Sequence, residues 1–360
     1  MSAARRARRT LLGLLAWVLL VPPARAEQPP DAAFRWPPRQ RAARCTGASG
    51  EVLARLSLAL QLRLVTRGPL GLGRAPRVTL LLASARRLAG AWMDRCPDEP
   101  MLPYLRAASR WLDRRRDDPA VRRALEADLR RVRAADPAFQ AGRVAFELGI
   151  AASLRGDNET AAREFGRSLR HAPAGGVARP PVRTLRQAVA EMLFGPVPRG
   201  LARYDLADAL VALPRRTEEA LEHFRRAVAE LRHEERPETV TLARWGEALA
   251  LHRLDRRQEA LEVLRSVQDP ASPPGPPATP GVFFSPPSEG TYYEALGWLA
   301  AGTDPRRSRE ARCEALTRAR QAFETYGRQV RQEGREPPWT QLAVREQVAA
   351  RETSKRLGCR

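Results

Sequence analysis

The chain has 360 residues and a formal net charge of +21, from 62 basic and 41 acidic residues; one basic residue is lysine (Lys355) and the rest are arginine. Hydrophobic residues make up 43%, which excludes a disordered or membrane-rich composition. Four cysteines and four histidines (His171, His223, His233, His252) occur without a Cys-x-x-Cys or His-x-x-x-His pair, which excludes the common zinc frameworks, and no metal or cofactor is implied.

The first 26 residues have the order of an export signal. Arg5, Arg6, Arg8 and Arg9 precede an uncharged apolar run from Leu11 to Val21, and Ala24-Arg25-Ala26 supplies small residues. This predicts cleavage after Ala26. The run is too short to span a bilayer, which needs about 20 apolar residues. Arg8-Arg9-Thr10-Leu11-Leu12 is similar to a twin-arginine signal. The expected location is therefore periplasmic or secreted, with no transmembrane segment in the mature chain. Loss of the signal leaves a charge of about +16, and such a field attracts nucleic acid, anionic lipid or acidic polymers. The arginines are interleaved with acids, as from Glu218 to Arg226, which reads as a solvated helical surface. Nucleic acid is not an expected partner.

Residues 27–48 are rich in proline and arginine and are expected to be extended. An N-terminal helical hairpin is expected over 49–100. Its first helix runs from about Glu51 to Thr66, with Val52, Leu56, Leu60 and Leu64 as one stripe. Its second runs from about Arg77 to Arg95. A third helix starts near Leu102. Asp118 and Pro119 then provide an N-cap and a first helical position for a fourth, which ends at Asp136-Pro137.

Helical repeats are expected over 101–268. Ala145, Leu148, Gly149 and Ala152 lie on one helical face, Gly156-Asp157 makes a turn, and Ala161, Phe165 and Leu169 line the next helix. Small residues let two antiparallel helices approach closely, and large ones fill the groove between them. This pattern resembles a tetratricopeptide repeat. Similar hairpins follow at Tyr204, Ala207, Val211 with Ala220, Phe224, Ala227, and at Ala248, Leu251 with Ala260, Leu261, Leu264. Leu102 to Pro137 is a degenerate candidate, and Tyr293, Leu296, Gly297 and Ala300 begin another. The spacing departs from the family period of about 34 residues. A Gly/Pro stretch and an extra helix, Val182 to Phe194, separate two hairpins. The predicted fold class is all-α, an irregular α-solenoid of antiparallel hairpins. Eight prolines over 269–289 predict an exposed loop, and 290–360 is expected to form C-terminal hairpins.

Catalytic constellations are not apparent: the sequence has no Gly-x-Ser-x-Gly elbow and no phosphate loop. The resemblance implies a non-enzymatic scaffold or adaptor that holds a protein or peptide partner along the first helices of its repeats. It would place Arg143, Phe146, Asp205, Trp245, His252 and Arg253 near that groove. The alternative is a cell-envelope component that binds anionic glycan or lipid through its arginines.

Four cysteines allow three pairings, and export favours their oxidation. Cys45 and Cys96 lie at the open end of the first hairpin. Cys313 lies in a helix from about Ser308 to Arg331, and a returning helix from about Thr340 leads to Cys359. The expected bridges are Cys45–Cys96 and Cys313–Cys359, each locking a terminal hairpin.

Overall fold

The computed structural model describes residues 38–66, 76–112, 118–173, 184–233, 237–269, 287–334, 337 and 339–359. The expected export signal, the stretch before residue 38 and residues 270–286 of the expected proline-rich loop lie outside the described residues. What is described is an all-α, solenoid-like stack of helices, with no strand among the described residues. No helix among them is long and apolar enough to cross a membrane.

The helices are α1 (Pro38–Thr66), α2 (Pro76–Met93), α3 (Met101–Trp111), α4 (Pro119–Ala135), α5 (Ala141–Ser153), α6 (Asn158–His171) and α7 (Leu185–Phe194). They continue as α8 (Arg199–Val211), α9 (Thr217–His233), α10 (Pro237–Arg253), α11 (Arg257–Val267), α12 (Pro287–Gly302), α13 (Arg309–Gln332) and α14 (Thr340–Arg356). Consecutive helices pack on one another as hairpins: α3 on α4, α5 on α6, α8 on α9, α10 on α11 and α12 on α13. Further contacts of α6 with α8, α9 with α10 and α11 with α12 join one hairpin to the next.

Local chemistry explains the helix starts. Asp118 accepts a hydrogen bond from the Ala120 amide, and Pro119 takes the first helical position of α4. Ser308 caps α13 through the Ala311 amide. Thr184 and Gln187 form a reciprocal capping box on α7, so this helix begins at Leu185 rather than Val182. Two expected boundaries are corrected. Residues 38–48 are helical, not extended, because α1 starts at Pro38, where a proline costs nothing at the first position, and Cys45, Ala48 and Ser49 are buried. Residues 287–289 belong to α12 rather than to the proline-rich loop, and Ser288 and Glu289 are buried there.

The expected small-residue contacts are present. A Cβ added at Gly149 would lie 2.6 Å from the Phe165 ring, and Ala161 is fully buried. The same device recurs where Gly246 receives the ring of Phe224 and Gly297 receives the indole of Trp245. Gly149→Leu is therefore expected to overpack the α5–α6 interface and cost about 1–3 kcal/mol. Gly166, on the same hairpin, has no heavy atom within 4 Å of an added Cβ. Gly166→Ala is expected to stabilise α6 by about 0.5–1 kcal/mol, since glycine is a poor helix former. Chemical denaturation of the two variants checks both signs, and a neutral Gly149→Leu would contradict the close approach.

Two hydrophobic cores meet at α5. Val144 and Leu148 join the N-terminal core, whereas Phe146 and Ala152 join the C-terminal one. Although α7 follows the α5–α6 hairpin in sequence, it folds back on α1 and contributes Val189 and Leu193 to the N-terminal core. The hydroxyl of Tyr104 donates to the Leu193 carbonyl, Arg143 Nη2 donates to the Met192 carbonyl at 3.1 Å, and the Phe194 ring stacks on Tyr104.

A polar device accompanies the apolar one. A mostly buried carboxylate is held between two arginines, bonding neighbouring elements together. Asp128 pairs with Arg106 and Arg110, Glu164 with Arg133 and Arg167, and Glu247 with Arg225 and Arg244. Glu126 pairs with Arg130 and Arg155, and Glu230 with Arg199 and Arg203. Each unit carries a surplus positive charge, so part of the arginine excess is structural.

Both expected disulfides are present, Cys45–Cys96 with Cα atoms 5.9 Å apart and Cys313–Cys359 at 5.5 Å. Cys45 lies within α1 rather than before it, and the bridge still closes the α1–α2 hairpin. The second ties α13 to the residue beyond α14.

Candidate functional site

The six residues expected along a partner groove divide into two groups. Phe146, Trp245 and His252 are buried, and the Arg253 side chain is 1% exposed. These four are packing residues, a correction to their expected position facing a partner. The Phe146 ring meets Phe165 edge-on at 5.7 Å. Trp245 covers the backbone of α12 at Gly297. Arg143 and Asp205 keep partial exposure, but Arg143 is occupied by α7, by Glu147 at 3.4 Å and by the Trp111 ring at 5.4 Å. The surface of α3 and α5 at Tyr104 and Arg143 is thus covered by the chain's own α7.

The C-terminal part of the stack is filled in another way. His252 Nδ1 lies 2.9 Å from the Tyr292 hydroxyl, and Nε2 lies 3.2 Å from Glu346 Oε1. Glu346 also accepts from Arg257 Nε at 2.8 Å. Burial alone would raise the Glu346 pKa, but the hydrogen bonds from His252 and Arg257 hold it below the usual carboxylate range. Tyr292, His252 and Glu346 are all buried, so this Tyr–His–carboxylate chain joins α10, α12 and α14. Next to it, Arg253 pairs with Glu289, donates to the Val211 carbonyl at 2.7 Å and lies over the Trp339 ring at 3.7 Å. A guanidinium can do all this at once because its plane stacks while its edge donates.

Between these filled regions α8 carries Asp205 and Asp208, one turn apart. Desolvation holds Asp205 well above the carboxylate range, reinforced by Asp208 and Glu147. Desolvation and Glu289 push Asp208 up to about 7, against the opposing pull of Arg253 and a hydrogen bond from Tyr293. Spacing could have indicated Asp208, three residues after Asp205. Glu346 could not be found that way, because it lies 94 residues from His252.

A carboxyl whose folded pKa is raised binds its proton more tightly in the folded state than in the unfolded chain. Its contribution is present below the unfolded pKa, near 4, and is lost as pH rises towards about 7. Thermal stability is therefore expected to fall between about pH 4 and about pH 7. Asp208→Asn should flatten that slope. An unchanged pH profile in this variant would contradict the assignment.

Compared with known proteins, the chain matches no protein-family model and shows no significant sequence match to a curated protein.

Proposed function

We propose that the chain is an exported, non-enzymatic adaptor, similar to tetratricopeptide-repeat proteins, that holds a protein or peptide partner in the periplasm or outside the cell. The observation that carries this reading is the succession of hairpins, three of which share one device, a glycine of the first helix (Gly149, Gly246, Gly297) facing an aromatic ring of a neighbouring helix. Such stacks present long surfaces on which a partner can lie. The two disulfides fit an oxidising compartment. The alternative, an envelope component held to anionic glycan or lipid by its arginines, is weakened by the carboxylates that clamp ten of them into the fold.

The test uses the mature chain from Glu27 as bait in envelope extract, followed by titration of the purified captured protein. A stoichiometric partner retained at moderate salt is the expected result. Binding to anionic polymer or vesicles alone, abolished by moderate salt, would replace this reading with the alternative.

A further inference from the structure

A cleft of about 720 Å³ opens between α6 and the α8–α9 turn. It lies apart from the α7-covered face and from the Tyr292–His252–Glu346 chain. Its α6 wall is one helical stripe, Glu159, Ala162, Arg163, Gly166 and Arg170. The opposite wall carries Arg215, Arg216 and Glu219. Leu206, Leu213 and Pro214 add apolar lining beside Ala162.

The lining carries four arginines, Arg163, Arg170, Arg215 and Arg216, against two carboxylates, Glu159 and Glu219. Arg216 is held by Glu219 through two hydrogen bonds at 2.7 and 2.6 Å, and Arg163 donates to the Thr160 hydroxyl at 2.8 Å. The side chains of Arg170 and Arg215, on the two walls, form no hydrogen bond or ion pair with any described residue. Elsewhere arginines of this chain clamp a carboxylate between two guanidinium groups. Here Arg170 and Arg215 border the cleft without such a partner, and Glu219 is engaged by Arg216. We propose that the cleft binds an acidic peptide segment of the partner, with its carboxylates against Arg170 and Arg215 and an adjoining apolar side chain against Leu206 and Leu213. A bilayer surface does not fit a concave site of this size, and a uronic-acid polymer has no apolar side chain for its lining. This inference rests on the adaptor reading and names the chemistry of the partner.

The probe is a short fluorescent peptide that alternates glutamate and leucine, titrated into the mature, oxidised chain. Its lysine–leucine counterpart, polygalacturonate and phosphatidylglycerol vesicles are run beside it. Saturable binding of the acidic peptide is expected. The double variant Arg170→Glu, Arg215→Glu should weaken it at least about tenfold. Gly166→Trp should block it as well, because Gly166 lines the cleft and an added Cβ there meets no heavy atom within 4 Å. Equal binding of the lysine peptide, equal binding by the variants, or stronger binding of polygalacturonate or vesicles would overturn the proposal. A cellular partner captured equally by wild type and by Gly166→Trp would overturn the cleft and leave the adaptor reading intact. Absence of both peptide binding and any captured partner would overturn both.

Discussion

Replacing Cys45 and Cys313 by serine is expected to remove most of the chain's margin against unfolding. The bridges close loops with sequence separations of 51 and 46 residues, for which chain entropy alone gives about 4 kcal/mol each. A typical domain has only about 5–15 kcal/mol in total. The bridges sit where that loss matters most, at the two ends of the described stack, where a hairpin has a neighbour on one side. In α1, Cys45, Ala48 and Ser49 are the buried residues before Val52 whose side chains are described, so reduction should release its first turns. Denaturant unfolding of oxidised wild type, each single-bridge variant and the double variant measures the effect. Two similar losses that add would agree with independent terminal clamps. Unchanged midpoints would show that packing alone holds the ends.

The second large effect is expected at Arg253. Its buried side chain binds α10 to the last residue of α8 through the Val211 carbonyl, to α12 through Glu289, and to the segment before α14 by stacking on Trp339. Arg253→Ala removes one partner of a buried ion pair and leaves Glu289, 6% exposed, without that cation. Such a loss costs about 3–5 kcal/mol. Arg253→Lys should restore little, because an ammonium cannot stack flat on the indole and donate in two in-plane directions. Calorimetry of both variants decides the point. A stable Arg253→Ala protein with weakened partner binding would return this residue to the surface role that repeat resemblance implies.

The boundary between what sequence reasoning reached and what it missed is physical. Local signals worked: Asp118-Pro119 and Ser308 start helices because their side chains satisfy nearby amides. The pairing of cysteines followed from hairpin connectivity, since antiparallel helices return the chain to its starting end. The extension of α1 back to Pro38 was hidden because a Pro/Arg-rich composition suggests extended chain. At a first helical position, however, proline is compatible with helix, and arginine and alanine propagate it.

The groove residues failed for a different reason. Periodicity places Trp245, His252 and Arg253 on a first helix, but not relative to elements far along the chain. The positions of α14, which brings Glu346 to His252, and of α7, which returns to Tyr104 and Arg143, are long-range facts without a local signature. The Gly246–Phe224 contact was equally hidden, since the partner ring lies on the preceding hairpin. The arginine clamps sit between these extremes. Pairs such as Arg244 and Glu247 are visible at helical spacing, whereas the second arginine, Arg225, comes from α9.

The most direct test of the adaptor account is photo-crosslinking in the living cell, through a benzoylphenylalanine in place of Gly166. Gly166 lines the cleft, and a Cβ added there meets no heavy atom within 4 Å. The account predicts a crosslink to one discrete protein, formed only after the signal has been removed at Ala26 and diminished when Arg170 and Arg215 are both reversed to glutamate. Crosslinks confined to glycan or lipid, or a chain retained in the cytoplasm with its signal intact, would contradict it.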